Sequence, residues 1–143
     1  MHNGYAVISK KWKKGDKVEM NLPMDVQRVI ANDKLPEDGG KVALQRGPIM
    51  YCAEWKDNDD KAANIIVPKT TTFTSEYKAD LLNGVTVLKA EVRGVNVDSN
   101  GQNISTADKT LTAIPYYAWA NRGKGEMTVW FPQQVKYVDL LTQ

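Results

Sequence analysis

Apolar runs in this chain are short, and clusters of Gly, Asn, Asp and Pro interrupt them at brief, regular intervals. Runs of that length suit strands, and strands repeated at that spacing imply an all-β sandwich or barrel. The expected fold is an antiparallel β-sandwich, jelly-roll or immunoglobulin-like, with at most one short helical turn.

The clearest strand is "VEMNL" (18–22), in which Val18, Met20 and Leu22 share one face and Glu19 and Asn21 the other. "GYAVISKKW" precedes it, and Gly15 and Asp16 suit a tight turn between them, so residues 4–22 read as a hairpin. Pro23 stops its ladder, having no N–H to donate. Further strands are expected at 25–32, 41–46, 48–55, 64–68, 84–95, 109–120 and 126–131, the last two closing a hairpin through "NRGKG". "VDSNG" (97–101) carries an Asn-Gly hairpin signal. "RGP" (46–48) suits a bulge or kink, and "SEYKADLLNG" (75–84) suggests a helical turn ended by Asn83 and Gly84 in the left-handed region.

The run 48–55 stands apart. Ile49, Tyr51, Ala53 and Trp55 fall on one side and Pro48, Met50 and Cys52 on the other, so both faces ask for an apolar cover. One cover is a partner sheet; the other is either a loop of this chain or a neighbouring domain.

At 143 residues the chain fits one domain, residues 1–143. With 19 basic and 17 acidic residues the formal charge is +2, too small to attract nucleic acid or an anionic membrane surface. "KKWKK" (10–14) mixes lysine and tryptophan, yet edge-strand lysines that block pairing account for it. No apolar run approaches the roughly 20 residues of a membrane span, and "MHNGYAVISKKW" lacks the apolar core of a signal peptide.

Catalytic groups are scarce. The one histidine, His2, is at the terminus, and the one cysteine, Cys52, lies mid-strand among Met50, Tyr51 and Ala53, where an apolar setting raises a thiol pKa and leaves it inert. Asp57, Asp59 and Asp60 resemble a calcium loop only at its start, because Lys61 takes the fifth position and the required glycine and glutamate do not follow. The densest aromatic stretch is "IPYYAWANRGKGEMTVWFP" (114–132). Read as a strand, it sets Tyr117, Trp119 and Asn121 on one face and Tyr116, Ala118 and Ala120 on the other. Tyr117, Trp119 and Arg122 are then candidates for stacking on a sugar, and Met50, Cys52, Tyr116 and Trp130 for docking against another domain.

Taken together, "KVALQRGPIMYCAEW", "DLLNGVTVLKAE" and "AIPYYAWANRGKGEMTVWFP", preceded by "WKKGDKVEMNLPMDVQRV", resemble the C-terminal region of glycoside hydrolase family 127, the β-L-arabinofuranosidase-like enzymes once grouped as a domain of unknown function. The resemblance covers nearly the whole chain. It implies a non-catalytic accessory β-sandwich module from the C-terminal part of a larger multidomain protein. Its partner would be the parent's (α/α)6 catalytic barrel, where a glutamate acid/base and a cysteine nucleophile in a zinc-binding cysteine cluster do the chemistry. No catalytic, metal or cofactor position carries over to this chain. A carbohydrate-binding module and a homodimerisation domain are the alternatives, and the parent's location, periplasmic or secreted, stays open.

Overall fold

The computed structural model describes residues 2–101 and 103–138. Among them there is no α-helix, and so no helix long and apolar enough to cross a membrane. The architecture is antiparallel β: β1 (Val26–Val29), β2 (Lys41–Arg46), β3 (Ile49–Glu54), β4 (Ile65–Ile66), β5 (Thr74–Lys78), β6 (Val85–Val97), β7 (Ile104–Pro115), β8 (Met127–Thr128) and β9 (Phe131–Pro132). The sheet runs β1-β2-β3-β7-β6-β4, with β5 on β6, β8 on β3 and β9 on β2. The described residues also include four single 3-10 turns, at Pro36–Asp38, Trp55–Asp57, Tyr116–Ala118 and Val135–Tyr137.

Period-2 alternation on the central strands explains where the core lies. Ala53, Ala113 and Leu88 are register partners across β3, β7 and β6, and all three enter the larger apolar cluster with Leu44, Tyr51, Leu111 and Phe131. One residue along, Cys52 and Ile114 are partners and enter a second cluster with Val85, Val87 and Ala118. Leu81, Leu82, Met127 and Val129 pack against this second cluster. The doubly apolar strand thus takes its second cover from its own chain. On β6 the same face changes from Val85 and Val87 to Lys89, Glu91 and Arg93, and there the side chains meet polar partners instead: Lys89 pairs with Glu76 at 2.8 Å, Arg93 with Asp108 at 2.6 Å, and Glu91 accepts the Thr110 hydroxyl at 3.1 Å.

Several expectations need correction. "RGP" is neither bulge nor kink. Arg46 and Ile49 are register partners, and Gly47 and Pro48 form the two-residue turn between them, with Gly47 at φ 56° and the Met24 side chain where a Cβ would go. Residues 75–84 begin as a strand, not a helical turn: the polar segment Thr74–Lys78 pairs with β6, and Leu82, Asn83 and Gly84 then all take positive φ. The run 109–120 begins earlier and ends sooner, because Pro115 is its last ladder residue and Tyr116–Ala118 coil into a 3-10 turn. The return segment does not pair with β7. Where β2 and β3 separate, β8 pairs with the end of β3 and β9 with the start of β2.

The N-terminal hairpin is realised only at its turn. The Asp16 N–H donates to the Lys13 carbonyl at 3.1 Å, the Lys13 N–H donates to the Asp16 carboxylate at 2.8 Å, and Gly15 sits at φ 94°. Residues 6–12 and 17–25 form no ladder. A two-stranded ribbon with no third strand and no core face beneath it does not hold its own pairing.

Candidate functional site

The aromatic turn after β7 is built on charges buried beneath it. Glu54, the last residue of β3, follows Cys52 on the second-cluster face and is 3% exposed. Its carboxylate accepts the Ala120 N–H at 2.8 Å, Arg122 Nε at 3.0 Å and Arg122 Nη2 at 2.5 Å. The 3-10 turn Trp55–Asp57 then brings Asp57 to the same guanidinium, which donates Nη1 to Oδ1 at 2.7 Å and Nη2 to Oδ2. Hydrogen bonding to Asp57, with Glu54 adding to it against the effect of burial, raises the arginine pKa further. Asn121 adds amide hydrogen bonds to the carbonyls of Ala118 at 3.0 Å and Trp119 at 3.3 Å. Ala120, with φ 66°, is a non-glycine residue in the left-handed region, held there by the Glu54 contact.

The result is an outward-facing ledge. Tyr117 is 69% exposed, and Tyr116 and Trp119 stack with ring centroids 6.1 Å apart and planes 10° apart. Of the sugar-stacking candidates, Trp119 stacks on Tyr116, and Tyr117 is exposed separately on the same turn. Arg122 does not join them: Nε, Nη1 and Nη2 all serve Glu54 and Asp57, so it positions the turn. Of the docking candidates, Tyr116 is on the ledge, while Met50 and Trp130 are half-buried. Cys52 is 0% exposed, enclosed by the chain's own second cluster, and offers no surface to another domain.

Burial, reinforced by the Glu54 carboxylate, pushes the Cys52 thiol up to about 12. The described residues do not fit a zinc–thiolate cluster: Cys52 is sealed, and no three His, Cys, Asp or Glu side chains among them converge as a metal set. A thiol-labelling disulfide reagent is therefore expected to leave the native chain unmodified and to react with one equivalent once denaturant opens it. Fast labelling of the native chain would contradict this burial.

Two further anchors escaped the sequence reading. Asn58, 1% exposed, donates from Nδ2 to the carbonyls of Glu54 at 2.8 Å and Thr112 at 2.9 Å, and accepts the Thr112 N–H at 3.0 Å. It acts as a substitute strand residue beside β7 where β3 has ended. Glu126 accepts the N–H groups of Ala62 at 2.9 Å and Ala63 at 3.1 Å. Burial works against its ionisation, but these hydrogen bonds and Lys61 prevail and hold its carboxyl below the usual 4.5. A lowered folded pKa gives stability that is present above the unfolded value and lost as pH falls through the folded one. Glu126→Gln should therefore flatten the loss of stability between roughly pH 5 and pH 3, measured by urea unfolding at each pH. An unchanged pH slope would contradict the assignment. The signal for Glu54 was in plain view as the one charged residue in "PIMYCAEW".

The sequence profile of the glycoside hydrolase family 127 C-terminal domain matches residues 26–132, from the start of β1 to the end of β9. This chain belongs to that family. A curated relative, the non-reducing end beta-L-arabinofuranosidase of Bifidobacterium longum subsp. longum, is 38% identical over 128 residues, covering 80% of this chain and 20% of its own length. A solved GH127 beta-arabinofuranosidase is 43% identical with TM-score 0.85, covering 92% of this chain and 20% of its own. A GH127 beta-L-arabinofuranosidase from Geobacillus stearothermophilus T6 is 39% identical with TM-score 0.71, covering 78% of this chain and 19% of its own. The family 127 domain thus spans about one fifth of the length of the relatives it matches.

Proposed function

We propose that this family 127 domain is a non-catalytic accessory module of a larger glycoside hydrolase of the β-L-arabinofuranosidase kind, packing against its (α/α)6 catalytic barrel and supporting it. The observation that carries the reading is the aromatic ledge: Tyr116, Tyr117 and Trp119 held toward solvent by the buried Glu54–Arg122–Asp57 cluster. A rigid apolar surface of this kind is what an interdomain contact uses. The sealed thiol of Cys52 supports assigning the bond-breaking groups elsewhere in the parent.

The test is a Tyr117→Ser/Trp119→Ser double variant, introduced both in the isolated chain and in the parent enzyme. The parent should lose several degrees more of melting temperature than the isolated chain, where the loss is confined to the Tyr116–Trp119 stack. Equal melting of variant and wild-type parents would remove the reading. The near-parallel Tyr116–Trp119 pair also favours a second reading, sugar stacking. Calorimetry of the isolated chain with arabinose-containing oligosaccharides decides it: heat that disappears on Trp119→Ala supports binding, and no heat removes it.

A further inference from the structure

We infer that residues 4–22 are a two-stranded ribbon that adds to the open edge of a β-sheet elsewhere in the parent polypeptide, with Val18, Met20 and Leu22 facing that sheet's apolar floor. The inference rests on the chain being one module of a larger enzyme.

The ribbon's backbone is the first observation. Among the described residues its backbone hydrogen bonds are confined to the small turn between His2 and Tyr5 and the tip between Lys13 and Asp16. Among the described residues the amides and carbonyls of 6–12 and 17–22 make no bond, which leaves two rows of groups ready for strand addition. Its side chains are the second. Met20 is 76% and Leu22 65% exposed, on the same alternating face as Val18, with Lys17, Glu19 and Asn21 opposite. A strand with one apolar and one polar face is made to cover a core on one side, and among the described residues Val18, Met20 and Leu22 all stay exposed.

The third observation is that the tip is set in advance. Gly15 in the left-handed region, the paired Lys13 and Asp16 contacts and the Lys10–Asp16 ion pair at 3.1 Å fix the reversal without any ladder. The fourth comes from the relatives. The family profile starts only at residue 26, yet the solved relative with TM-score 0.85 matches 92% of the chain. Residues 26–143 cannot supply that share, so the match runs into the ribbon. The ribbon's path is therefore retained in a polypeptide whose remaining four-fifths lie outside this chain. Tethering selects that partner over a second copy, because a linked site is met at an effective concentration of about millimolar. Five lysines around the tip, Lys10, Lys11, Lys13, Lys14 and Lys17, also oppose close pairing of two like ribbons.

Hydrogen exchange, read by peptide in the isolated chain and in the parent enzyme, tests it. Amides of 6–12 and 17–22 should exchange at least about 100-fold more slowly in the parent, while those of β6 exchange equally in both. Met20→Lys in the parent should return the ribbon to fast exchange and leave the melting of the isolated chain unchanged. Ribbon amides that exchange as fast in the parent as in the isolated chain would overturn the proposal. So would slow, concentration-dependent exchange in the isolated chain, which would mean pairing between copies. The turn 116–122 is read in the same data: protection there without protection of the ribbon sinks only the ribbon, and the reverse sinks only the docking ledge.

Discussion

Arg122→Ala is expected to destabilise the isolated chain by about 3–5 kcal/mol, the usual consequence of removing one partner from a buried ion pair. Glu54 is 3% exposed, and without the guanidinium its carboxylate keeps only the Ala120 N–H among its described partners. Asp57 loses its partner in the same step. Against a total stability of about 5–15 kcal/mol for a domain, that loss moves the unfolding midpoint far down. Arg122→Lys should fall between the two, since an ammonium keeps the charge but lacks the fork that engages two carboxylates at once. Urea unfolding with an unchanged m-value is the measurement, and a loss below about 1 kcal/mol for Arg122→Ala would show that the cluster contributes little.

Asn58→Asp is the second large effect. The substitution preserves shape and replaces the donor half of the amide with oxygen, which then faces the carbonyls of Glu54 and Thr112 at hydrogen-bond distance. Each buried carbonyl left without a donor costs about 1–3 kcal/mol and the buried charge adds to that, so a loss of about 3 kcal/mol or more is expected at neutral pH. A protonated aspartate can donate again. The deficit should therefore shrink in acid and grow as pH rises through the carboxylate range. A deficit independent of pH would show that the lost donor is not the cause.

The physical origin of each expectation explains which parts of this fold were legible. The run 41–46 reproduces β2 to the residue, and the Asn-Gly signal marks the reversal between β6 and β7, where Gly101 sits at φ 70°. Both are local properties of alternation and turn chemistry. β5 and the first half of β7 were hidden because they are exposed along most of their length, so their faces carry no apolar contrast. Alternation alone carries Tyr116, Tyr117 and Trp119 onto strand faces, whereas Pro115, a residue without an N–H, marks the end of the ladder. The anchoring cluster was the least accessible. Arg122 meets Glu54 and Asp57 more than sixty positions away in sequence, a contact fixed only when β3 has found its place beside β7. Family resemblance supplied the domain's kinship, which alternation alone does not encode.

Because the Ala120 amide, the Asn121 side chain and both carboxylates all grip one short turn, its stacked Tyr116–Trp119 pair is already set before any partner arrives. Immobilising a free side chain on association costs about 0.5–1.5 kcal/mol, and here much of that ordering entropy is spent during folding. A preorganised surface of this sort would bind with a smaller entropic penalty, so under the proposed docking role the buried charges would act on recognition from a distance, without touching what is recognised.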